Sequence, residues 1–231
     1  MSSSEKPRKP QEVIPVQTLR RIPHYHQILL ELEQKGEQFV SSRYLAHFFQ
    51  VDDTQVRKDM SVIGYKGKPK AGYSVSGLRA AIGEFLGINV ENTAILIGAG
   101  KLGSALVEYP GLPEYGLKLV AVFDNDPAKA GKIIGSFSIL PLESLSRVIK
   151  TYDVGIAILT VPKQAAQQVC DMLISLEVKA IWNFAPTQLT APDDVIVRNE
   201  NMAVGLALLS HYLRKEKRQR TGAIRARRRS S

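Results

Sequence analysis

The chain has 231 residues, of which 44% are hydrophobic, and a formal net charge of +9 at pH 7. This length accommodates two modest domains, each with its own core. No stretch is long and apolar enough to span a membrane, and the first residues lack the apolar segment of a signal peptide. The single cysteine, Cys170, excludes an internal disulfide framework, so we expect a protein of the reducing cytoplasm.

The positive charge is concentrated at the two ends of the chain. Residues 1–75 hold 12 basic and 8 acidic side chains, whereas residues 76–213 hold 10 basic and 13 acidic ones. Residues 214–231 hold nine lysines and arginines and one glutamate. Basic ends on a mildly acidic middle indicate that the ends meet a polyanion.

Residues 18–87 are predicted to form a winged-helix DNA-binding domain, preceded by a flexible segment over residues 1–17 that is rich in Pro, Ser and Lys. A helical pattern emerges from Thr18, is re-set by Pro23 and stops at Gly36.

Two further short helices complete a helix-turn-helix. Ser41 or Ser42 can cap the second helix, and Asp53 or Thr54 can cap the third, which stops at Gly64. The outward positions of the third helix carry polar and basic side chains suited to base edges or phosphates, although a solvated helix face would look the same.

A lysine-rich turn follows the third helix, between two short β-prone ends over residues 65–75. Such a basic hairpin is typical of the wing of a winged helix, where lysines reach phosphates or the minor groove. A helix that Ser76 caps runs through Leu86, is ended by Gly87 and closes the domain. The predicted DNA contacts are Ser41, Ser42, Arg43, Gln55, Arg57, Lys58, Ser61, Lys66, Lys68 and Lys70.

Residues 88–200 are predicted to form a Rossmann-like, doubly wound parallel sheet. The apolar run Thr93–Ile97 leads directly into a glycine turn, Gly98–Gly103, which a helical pattern follows. A second apolar run ends at Asp124, whose carboxylate can accept hydrogen bonds from both adenosine ribose hydroxyls and would repel a 2′-phosphate. Strand, glycine turn, helix, strand and acid in this order predict a dinucleotide site that prefers NAD to NADP.

Strands and helices alternate through the rest of this domain. A short strand at Ser138–Leu140 precedes a helix at Leu142–Tyr152, and a buried strand at Val154–Leu159 precedes a helix that Pro162 opens. Further strands are predicted at residues 180–183 and 195–197. Ligand contacts gather at the carboxyl ends of parallel strands, so the predicted cofactor-binding residues are Gly98, Ala99, Gly100, Lys101, Leu102, Gly103, Asp124, Thr160, Val161, Pro162, Asn183, Phe184 and Ala185.

The last helix, over residues 201–213, carries a wide set of apolar side chains that requires a partner surface, such as a second subunit. The tail over residues 214–231 is almost purely basic, and we interpret it as a source of non-specific DNA affinity or as a solvated end.

The chain resembles one family, the redox-sensing transcriptional repressor Rex of bacteria. The resemblance covers residues 16–213. Its motifs are Thr18-Leu19-Arg20-Arg21-Ile22-Pro23 with Tyr25, Val40-Ser41-Ser42, Thr54-Gln55-Val56-Arg57-Lys58-Asp59-Met60, Gly72-Tyr73-Ser74-Val75, the glycine turn with Ala105, Leu106 and Tyr109, Phe123-Asp124-Asn125-Asp126-Pro127, Asn183-Phe184-Ala185-Pro186, and Leu208-Leu209-Ser210-His211-Tyr212-Leu213.

The resemblance implies a homodimer that binds double-stranded DNA at an inverted-repeat operator. It implies that NADH closes the dimer into a form that cannot hold DNA, that NAD⁺ competes, and that the C-terminal helix is exchanged between subunits. It further implies that a residue at the start of that helix, here Asn201, couples the nicotinamide state to Arg21 and Tyr73 of the DNA-binding domain.

The chain departs from this family at three positions. Lys101 stands where Asn is common, neutral Asn201 stands where an Asp is usual, and Gly205 stands where a Glu is usual. Asn201 can still donate and accept hydrogen bonds, but it lacks the charge that strengthens a contact with Arg. An altered or lost redox response is therefore a second hypothesis.

Two other functions remain open from the residues. An NAD-dependent dehydrogenase would need a proton donor beside the nicotinamide, and no catalytic pair is evident near the glycine turn, so we expect no enzymatic activity. A DNA-binding regulator that senses CoA, NADPH or no ligand is the other alternative. Cys170 lies in an apolar helical stretch and is expected to be buried and inert, and no His/Cys spacing indicates a metal site.

Overall fold

The computed structural model describes residues 14–200, 203–207 and 209–214. Expectations for residues 1–13, Asn201, Met202, Leu208 and the basic tail from Lys215 onward lie outside these described residues. The chain divides into two compact units, an N-terminal unit that ends at Val90 and a C-terminal unit that begins with the next residue.

The N-terminal unit consists of four helices and a two-stranded antiparallel ribbon. In chain order its elements are α1 (Val16–Gln34), β1 (Phe39–Val40), α2 (Ser42–Phe49), α3 (Asp53–Ile63), β2 (Tyr73–Ser74) and α4 (Val75–Leu86). Helix α1 packs against α4, and α2 packs against α3. The side chains at the centre of this packing are almost completely buried: Ile22, Tyr25, Leu29, Leu45, Val56, Met60, Leu78 and Ile82.

Helix α1 begins within the segment that was predicted to be flexible and runs through Pro23 without interruption. The predicted re-start at this proline is therefore wrong. A proline inside a helix costs about 3 kcal/mol because it removes one hydrogen bond and crowds the preceding turn. Ile22 and Tyr25, on either side of it, are fully buried, and their packing outweighs that cost.

Helices α2 and α3 form the predicted helix-turn-helix. The hydroxyl of Ser41 accepts a hydrogen bond from the backbone N–H of Tyr44 at 3.1 Å and caps α2, as one of the two predicted alternatives required. Gln50 ends α2 in the left-handed conformation, with φ of 51°. The chain therefore turns sharply and enters α3 after only three residues.

Two predicted helix caps are displaced by one or two residues. Asp52, not Asp53 or Thr54, caps α3, because its backbone is still extended and its carboxylate accepts the N–H of Gln55 at 2.9 Å. Ser74 rather than Ser76 caps α4. In both places residues of capping type lie within two positions of each other, and only the backbone conformation selects among them.

The wing is tighter than the predicted hairpin. Lys68 and Gly72 form a single antiparallel bridge, with hydrogen bonds of 2.7 and 3.0 Å between their backbones. Strand β2, which follows, pairs with β1 and not with the beginning of the wing, so that Tyr73 lies opposite Val40. The wing is therefore fixed to the start of the helix-turn-helix.

The C-terminal unit contains a seven-stranded sheet in the order β5-β6-β4-β3-β7-β8-β9. All neighbouring strands are parallel except β5 and β6. The strands are β3 (Asn92–Ile97), β4 (Leu117–Asp124), β5 (Ile133–Ile134), β6 (Phe137–Pro141), β7 (Ile156–Leu159), β8 (Ala180–Asn183) and β9 (Ile196–Asn199). The predicted doubly wound parallel sheet is confirmed, and only β5 was missed.

Helices cover both faces of this sheet, because the strands are apolar on both sides. They are α5 (Lys101–Val107), α6 (Gly111–Glu114), α7 (Leu145–Tyr152) and α8 (Lys163–Ser175). Ile95 and Ile97 face the core under α7 and α8, whereas Leu96 between them faces the other core, which α5 and α6 cover. The strand order reverses between β3 and β7, and ligands of such sheets bind at this point.

The segment over residues 203–207 and 209–214 is helical, as predicted for the end of the chain. Its described apolar side chains are more than half exposed: Val204, Leu206, Leu209, Tyr212 and Leu213.

Candidate functional site

The glycine turn lies at the carboxyl end of β3, where the strand order reverses. The N–H of Gly98 donates to the carbonyl of Phe123 at 2.8 Å, and the hydroxyl of Thr160 donates to the carbonyl of Gly98 at 2.7 Å. Gly98 has a φ of +107°, a conformation that other residues rarely adopt. A side chain at Gly103 would overlap the Gly98 carbonyl and Thr160, so glycine is required where α5 meets the turn.

Gly100 differs from these two glycines because it is open. No atom lies within 4 Å of the position that its Cβ would occupy. The residue is the N-cap of α5, and the helix N–H groups that follow have no partners within the helix. A negatively charged group can therefore come close to the backbone here.

A cavity of about 580 Å³ extends from the glycine turn across the carboxyl ends of the strands. Its size falls within the range of small-molecule and cofactor sites. The predicted cofactor-binding residues that line it are Gly98, Gly100, Leu102, Asp124, Thr160, Val161, Pro162 and Phe184. Residues that were not predicted also line it, among them Asn125, Asp126, Lys129, Leu142, Gln168, Val169 and Met172.

The remaining predicted cofactor residues lie around this cavity without lining it. Ala99 and Gly103 are buried in the turn, and the side chain of Lys101 is exposed. Asn183 is fully buried, donates to the carbonyl of Thr187 and to the side chain of Asn199 at 2.8 Å each, and accepts the N–H of Ala185 at 3.0 Å. It therefore positions the loop that carries Phe184.

Asp124 is buried at the end of β4, and its carboxylate is already hydrogen-bonded within the protein. Oδ2 accepts the N–H of Ala99 and the ammonium of Lys129, both at 2.8 Å, and Oδ1 accepts the N–H of Asp126 at 2.9 Å. Burial raises the pKa of this carboxyl, but the hydrogen bonds from Lys129 and the two N–H groups outweigh burial, so the pKa lies below its usual value. Asp124 is thus ionised and paired.

Among the cavity residues that the sequence did not predict, Lys129 is the one whose side chain contacts Asp124. It lies in a short 3₁₀ turn over Pro127–Lys129, which Asp126 caps by accepting the N–H of Ala128. The Asp126-Pro127 pair indicates such a turn, and a turn at this place returns the chain towards Asp124. The sequence therefore carries a signal for the turn, but no local pattern shows that the turn directs Lys129 to Asp124.

The helix-turn-helix presents an exposed basic face, although not every predicted side chain belongs to it. Arg43, Lys58 and Ser61 are exposed. Arg57 is exposed and also forms an ion pair with Asp53 at 2.8 Å. The predicted outward orientation of Gln55 is wrong, since this residue is half-buried and its amide donates to Asp59 at 3.0 Å.

The three wing lysines Lys66, Lys68 and Lys70 are exposed. The ammonium of Lys68 lies 5.6 Å from the ring centre of Phe39, within the range of a cation–π contact. Of the two serines at the start of α2, Ser41 serves as the helix cap, and Ser42 accepts a hydrogen bond from Arg57 at 3.3 Å.

Asp59 is a fully buried acid between α1 and α3. It accepts hydrogen bonds from Arg21, Thr18 and Tyr25, as well as from Gln55. Burial raises its pKa, but these four donors, Arg21 first, lower it to below the usual value.

The residues expected to couple cofactor and DNA binding are placed as follows. Arg21 is held by Asp59, which raises the pKa of the guanidinium. Tyr73 is buried in the N-terminal unit, and burial raises the pKa of its hydroxyl. Asn201 lies outside the described residues.

The structure also bears on the other sequence expectations. Cys170 is fully buried, and burial raises the pKa of its thiol, as expected for an inert cysteine. Among residues 14–200, 203–207 and 209–214, no cluster of three or more His, Cys, Asp or Glu side chains could hold a metal ion. Within that same part of the chain, no helix has the length and apolar character needed to cross a membrane.

A helix-turn-helix with a basic wing, followed by a dinucleotide-type cavity on a doubly wound sheet, defines a nucleotide-responsive DNA-binding protein. Residues 13–61 match the family described as "Putative DNA-binding protein N-terminus", and residues 89–187 match the family described as "CoA binding domain".

Relatives named redox-sensing transcriptional repressor Rex match almost the whole chain. That of Treponema denticola is 39% identical over 207 residues, which cover 90% of this chain and 99% of the relative. That of Desulforamulus reducens is 42% identical over 200 residues, which cover 87% of this chain and 95% of the relative. The chain therefore belongs to the family of the redox-sensing transcriptional repressor Rex.

Two solved structures of one such repressor share the fold. RSP in complex with β-NAD⁺ and operator DNA has a TM-score of 0.84 and 33% identity and covers 91% of this chain and 97% of its own. RSP in complex with β-NADH has a TM-score of 0.82 and 32% identity, with coverages of 91% and 99%.

Proposed function

We propose that this protein is a transcriptional repressor that binds operator DNA and senses the NADH/NAD⁺ ratio. The observation that carries the proposal is the cavity beside the glycine turn, which occurs in the same chain as a basic helix-turn-helix. Relatives over about 90% of the chain carry the name of redox-sensing repressors, and a related repressor has been crystallised with NAD⁺ and operator DNA and with NADH.

The cavity fits a dinucleotide in its shape and charge. Open Gly100 and the first N–H groups of α5 suit the pyrophosphate, and Asp124 suits the adenosine ribose. Leu142, Val161 and Val169 supply an apolar lining for a flat base. The nicotinamide supplies the redox state that is sensed, and the residues of this chain only need to bind it.

The basic face of the N-terminal unit fits DNA. Exposed Arg43, Arg57, Lys58 and Ser61 occupy the helix-turn-helix, and the wing lysines extend the positive surface. Lysines and arginines that contact phosphates supply most of the affinity, and side chains on the second helix of the motif read base edges. The half-buried Gln55 is better suited to orienting α3 than to reading a base.

We propose that repression and release are linked through a homodimer with an exchanged C-terminal helix. The exposed apolar side chains of Val204, Leu206, Leu209, Tyr212 and Leu213 support a partner for this helix, since an apolar face of this kind is unfavourable in contact with water. If NADH prefers one arrangement of the dimer and DNA the other, each ligand weakens the other by the same factor. A coupling of about 1–3 kcal/mol gives a change of roughly 5- to 150-fold. No reaction at the cofactor is required, so we propose that the protein is not an enzyme.

A regulator of the same architecture with an altered redox response is the second candidate. One observation favours it: Arg21, the residue expected to meet position 201, is already bound by Asp59 through two hydrogen bonds. Asn201 carries no charge with which to compete for it. In that case the cofactor would bind while the DNA affinity changed little.

One experiment tests the proposal and separates the two candidates. An inverted-repeat duplex is first selected from a random pool by the nucleotide-free protein. Fluorescence anisotropy of that duplex is then titrated with NADH, NAD⁺ and CoA at fixed salt. The proposal expects NADH to release the duplex at least about fivefold more effectively than NAD⁺, and CoA to be inactive.

A Gly100→Ala variant provides the control, because it obstructs the pyrophosphate without touching the DNA-binding unit. It should bind the duplex normally and should need about tenfold more NADH for release. If the wild-type protein bound the duplex with equal affinity in the absence and presence of saturating NADH, the proposal would be contradicted. If NADH binding were detected by another method in that case, the regulator with an altered redox response would be the remaining candidate. Release of the duplex by CoA would show that CoA is the effector.

A further inference from the structure

The carboxylate that should read the adenosine ribose is largely occupied by the protein itself. A carboxylate offers about four acceptor positions, and three of those on Asp124 are filled by Ala99, Asp126 and Lys129. Oδ2 has two donors and Oδ1 has one, so a single position remains, on Oδ1. Asp124 can therefore accept a hydrogen bond from one ribose hydroxyl but not from both.

Lys129 supplies hydrogen-bond donors next to this carboxylate. An ammonium has three N–H donors, of which one is directed to Asp124 Oδ2 at 2.8 Å. The side chain lines the cavity and is 34% exposed, whereas that of Asp124 is 6% exposed. The spare donors of Lys129 are thus available to an oxygen of a bound nucleotide at the same end of the cavity.

The pair also changes the charge that a ligand meets. A lone carboxylate at this position would repel a phosphate on the ribose, but the ion pair of Asp124 with Lys129 is neutral as a whole. Its more exposed member is the positive one. A 2′-phosphate could then accept hydrogen bonds from Lys129 while the 3′-hydroxyl donates to Asp124.

We infer that Lys129 sets how strongly this cavity selects NADH over its 2′-phosphorylated counterpart NADPH. The ion pair with Asp124 makes that selection weaker than an isolated acid would. This inference rests on the proposed function, since it assumes that the cavity binds a nicotinamide dinucleotide with its adenosine ribose at the end of β4. It revises the expectation that Asp124 alone excludes a 2′-phosphate.

Titrations of NADH and NADPH with the full-length protein test the inference, with the fluorescence of the reduced nicotinamide as the readout. In Lys129→Gln the ratio of the NADPH to the NADH dissociation constant should rise about tenfold, because the uncovered carboxylate now faces the phosphate. In Asp124→Asn the ratio should fall below that of the wild type. A Lys179→Gln variant is the matched control, since Lys179 forms an exposed ion pair with Asp194 at 2.7 Å at the opposite end of the strands. Its ratio should not change.

An unchanged ratio in Lys129→Gln, or an equal loss of affinity for both nucleotides, would overturn the inference while leaving the proposed function intact. If the wild type bound neither nucleotide, the proposed function would fall and the inference with it. Thermal unfolding of each variant shows whether the C-terminal unit remains folded. If Lys129→Gln unfolds at the wild-type temperature and its ratio is unchanged, Lys129 does not set the selection between NADH and NADPH.

Discussion

Arg21 and Asp59 are joined by two parallel hydrogen bonds, from Nε to Oδ2 at 2.7 Å and from Nη2 to Oδ1 at 2.9 Å. Arg21 lies on α1 and Asp59 lies on α3, so this contact ties α3 to α1. Asp59 is completely buried and Arg21 is 15% exposed. The geometry is the bidentate form that makes arginine–carboxylate pairs strong.

Asp59→Asn should destabilise the N-terminal unit by about 3 kcal/mol, because loss of one partner leaves a largely buried charge without compensation. Urea unfolding separates the two units in this measurement. Trp182 is the only tryptophan of the chain and lies in the C-terminal unit, so its fluorescence follows that unit, whereas circular dichroism follows the helices of both. The mutation should move the dichroism transition to lower urea and the Trp182 transition less.

Asp53→Asn is the matched control for this prediction. Asp53 also lies on α3 and also pairs with an arginine, Arg57 at 2.8 Å, but both side chains are substantially exposed. Exposed pairs contribute about 1 kcal/mol or less. Equal destabilisation by the two mutations would contradict a special role for the buried pair.

The same pair predicts how stability depends on pH. The pKa of Asp59 in the folded protein lies below its ordinary value of 3.8. As the pH falls, the unfolded chain therefore takes up this proton first. The stabilisation is complete above about pH 5 and is lost progressively as the pH falls below 3.8 and through the lower pKa of the folded protein. Unfolding free energies measured between about pH 5 and pH 2.5 should fall less steeply in Asp59→Asn than in the wild type. Parallel curves would show that Asp59 is not the group that titrates.

Much of the fold could be predicted from the sequence because local signals agreed with each other. The glycine turn, the acid after the next apolar run and the alternation of strands with helices led to the correct parallel sheet. The helix-turn-helix was predictable because Gly36 and Gly64 each end a helix and a short apolar helix lies between them. These features depend on neighbouring residues, which the sequence displays directly.

The side-chain contacts that the sequence did not predict join residues far apart in the chain. Asp59 follows Val56 by three residues and thus lies on the buried face of α3, where a charged side chain requires a partner. Its partner Arg21 is 38 residues away, and no local pattern identifies it. The family resemblance alone had implied that Arg21 is coupled to Asn201. The occupied state of Asp124 was missed for a similar reason, because a backbone N–H 25 residues earlier takes part.

Substitution by alanine should lower the stability of the protein at Gly103 and the affinity for NADH at Gly100. A Cβ at Gly103 would overlap the Gly98 carbonyl, so Gly103→Ala should cost about 1–3 kcal/mol and shift the C-terminal unit to a lower unfolding temperature. A Cβ at Gly100 meets nothing within 4 Å, so Gly100→Ala should change stability by less than about 0.5 kcal/mol. The latter variant should still lose about tenfold in NADH affinity, because its methyl group occupies the approach of the pyrophosphate. Normal NADH binding by Gly100→Ala would place the pyrophosphate elsewhere.

Cys170 should be unreactive in the folded protein. Its side chain is completely buried in α8, and burial raises the pKa of the thiol, which lowers the fraction of reactive thiolate. A chromogenic disulfide reagent should label no thiol in native protein and one thiol per chain in denaturant. Cys170→Ala should preserve the effect of NADH on DNA binding. Loss of that effect, or rapid labelling of the native protein, would point to a thiol-based sensor instead.

The wing lysines should contribute to DNA binding through phosphates and not through sequence. Lys68 and Lys70 are exposed on the tight turn that β2 fixes to the helix-turn-helix. Lys70 has a φ of 63°, so Asn is the suitable neutral replacement there, whereas Gln suits Lys68. The double variant should weaken binding to all duplexes alike and reduce the slope of log affinity against log salt by about 0.9 for each lost phosphate contact. Lys179→Gln, in the C-terminal unit, should leave the slope unchanged. A loss of affinity at constant slope would mean that the two lysines act on the fold of the wing and not on the phosphates, and the dichroism of the double variant would then show an altered N-terminal unit.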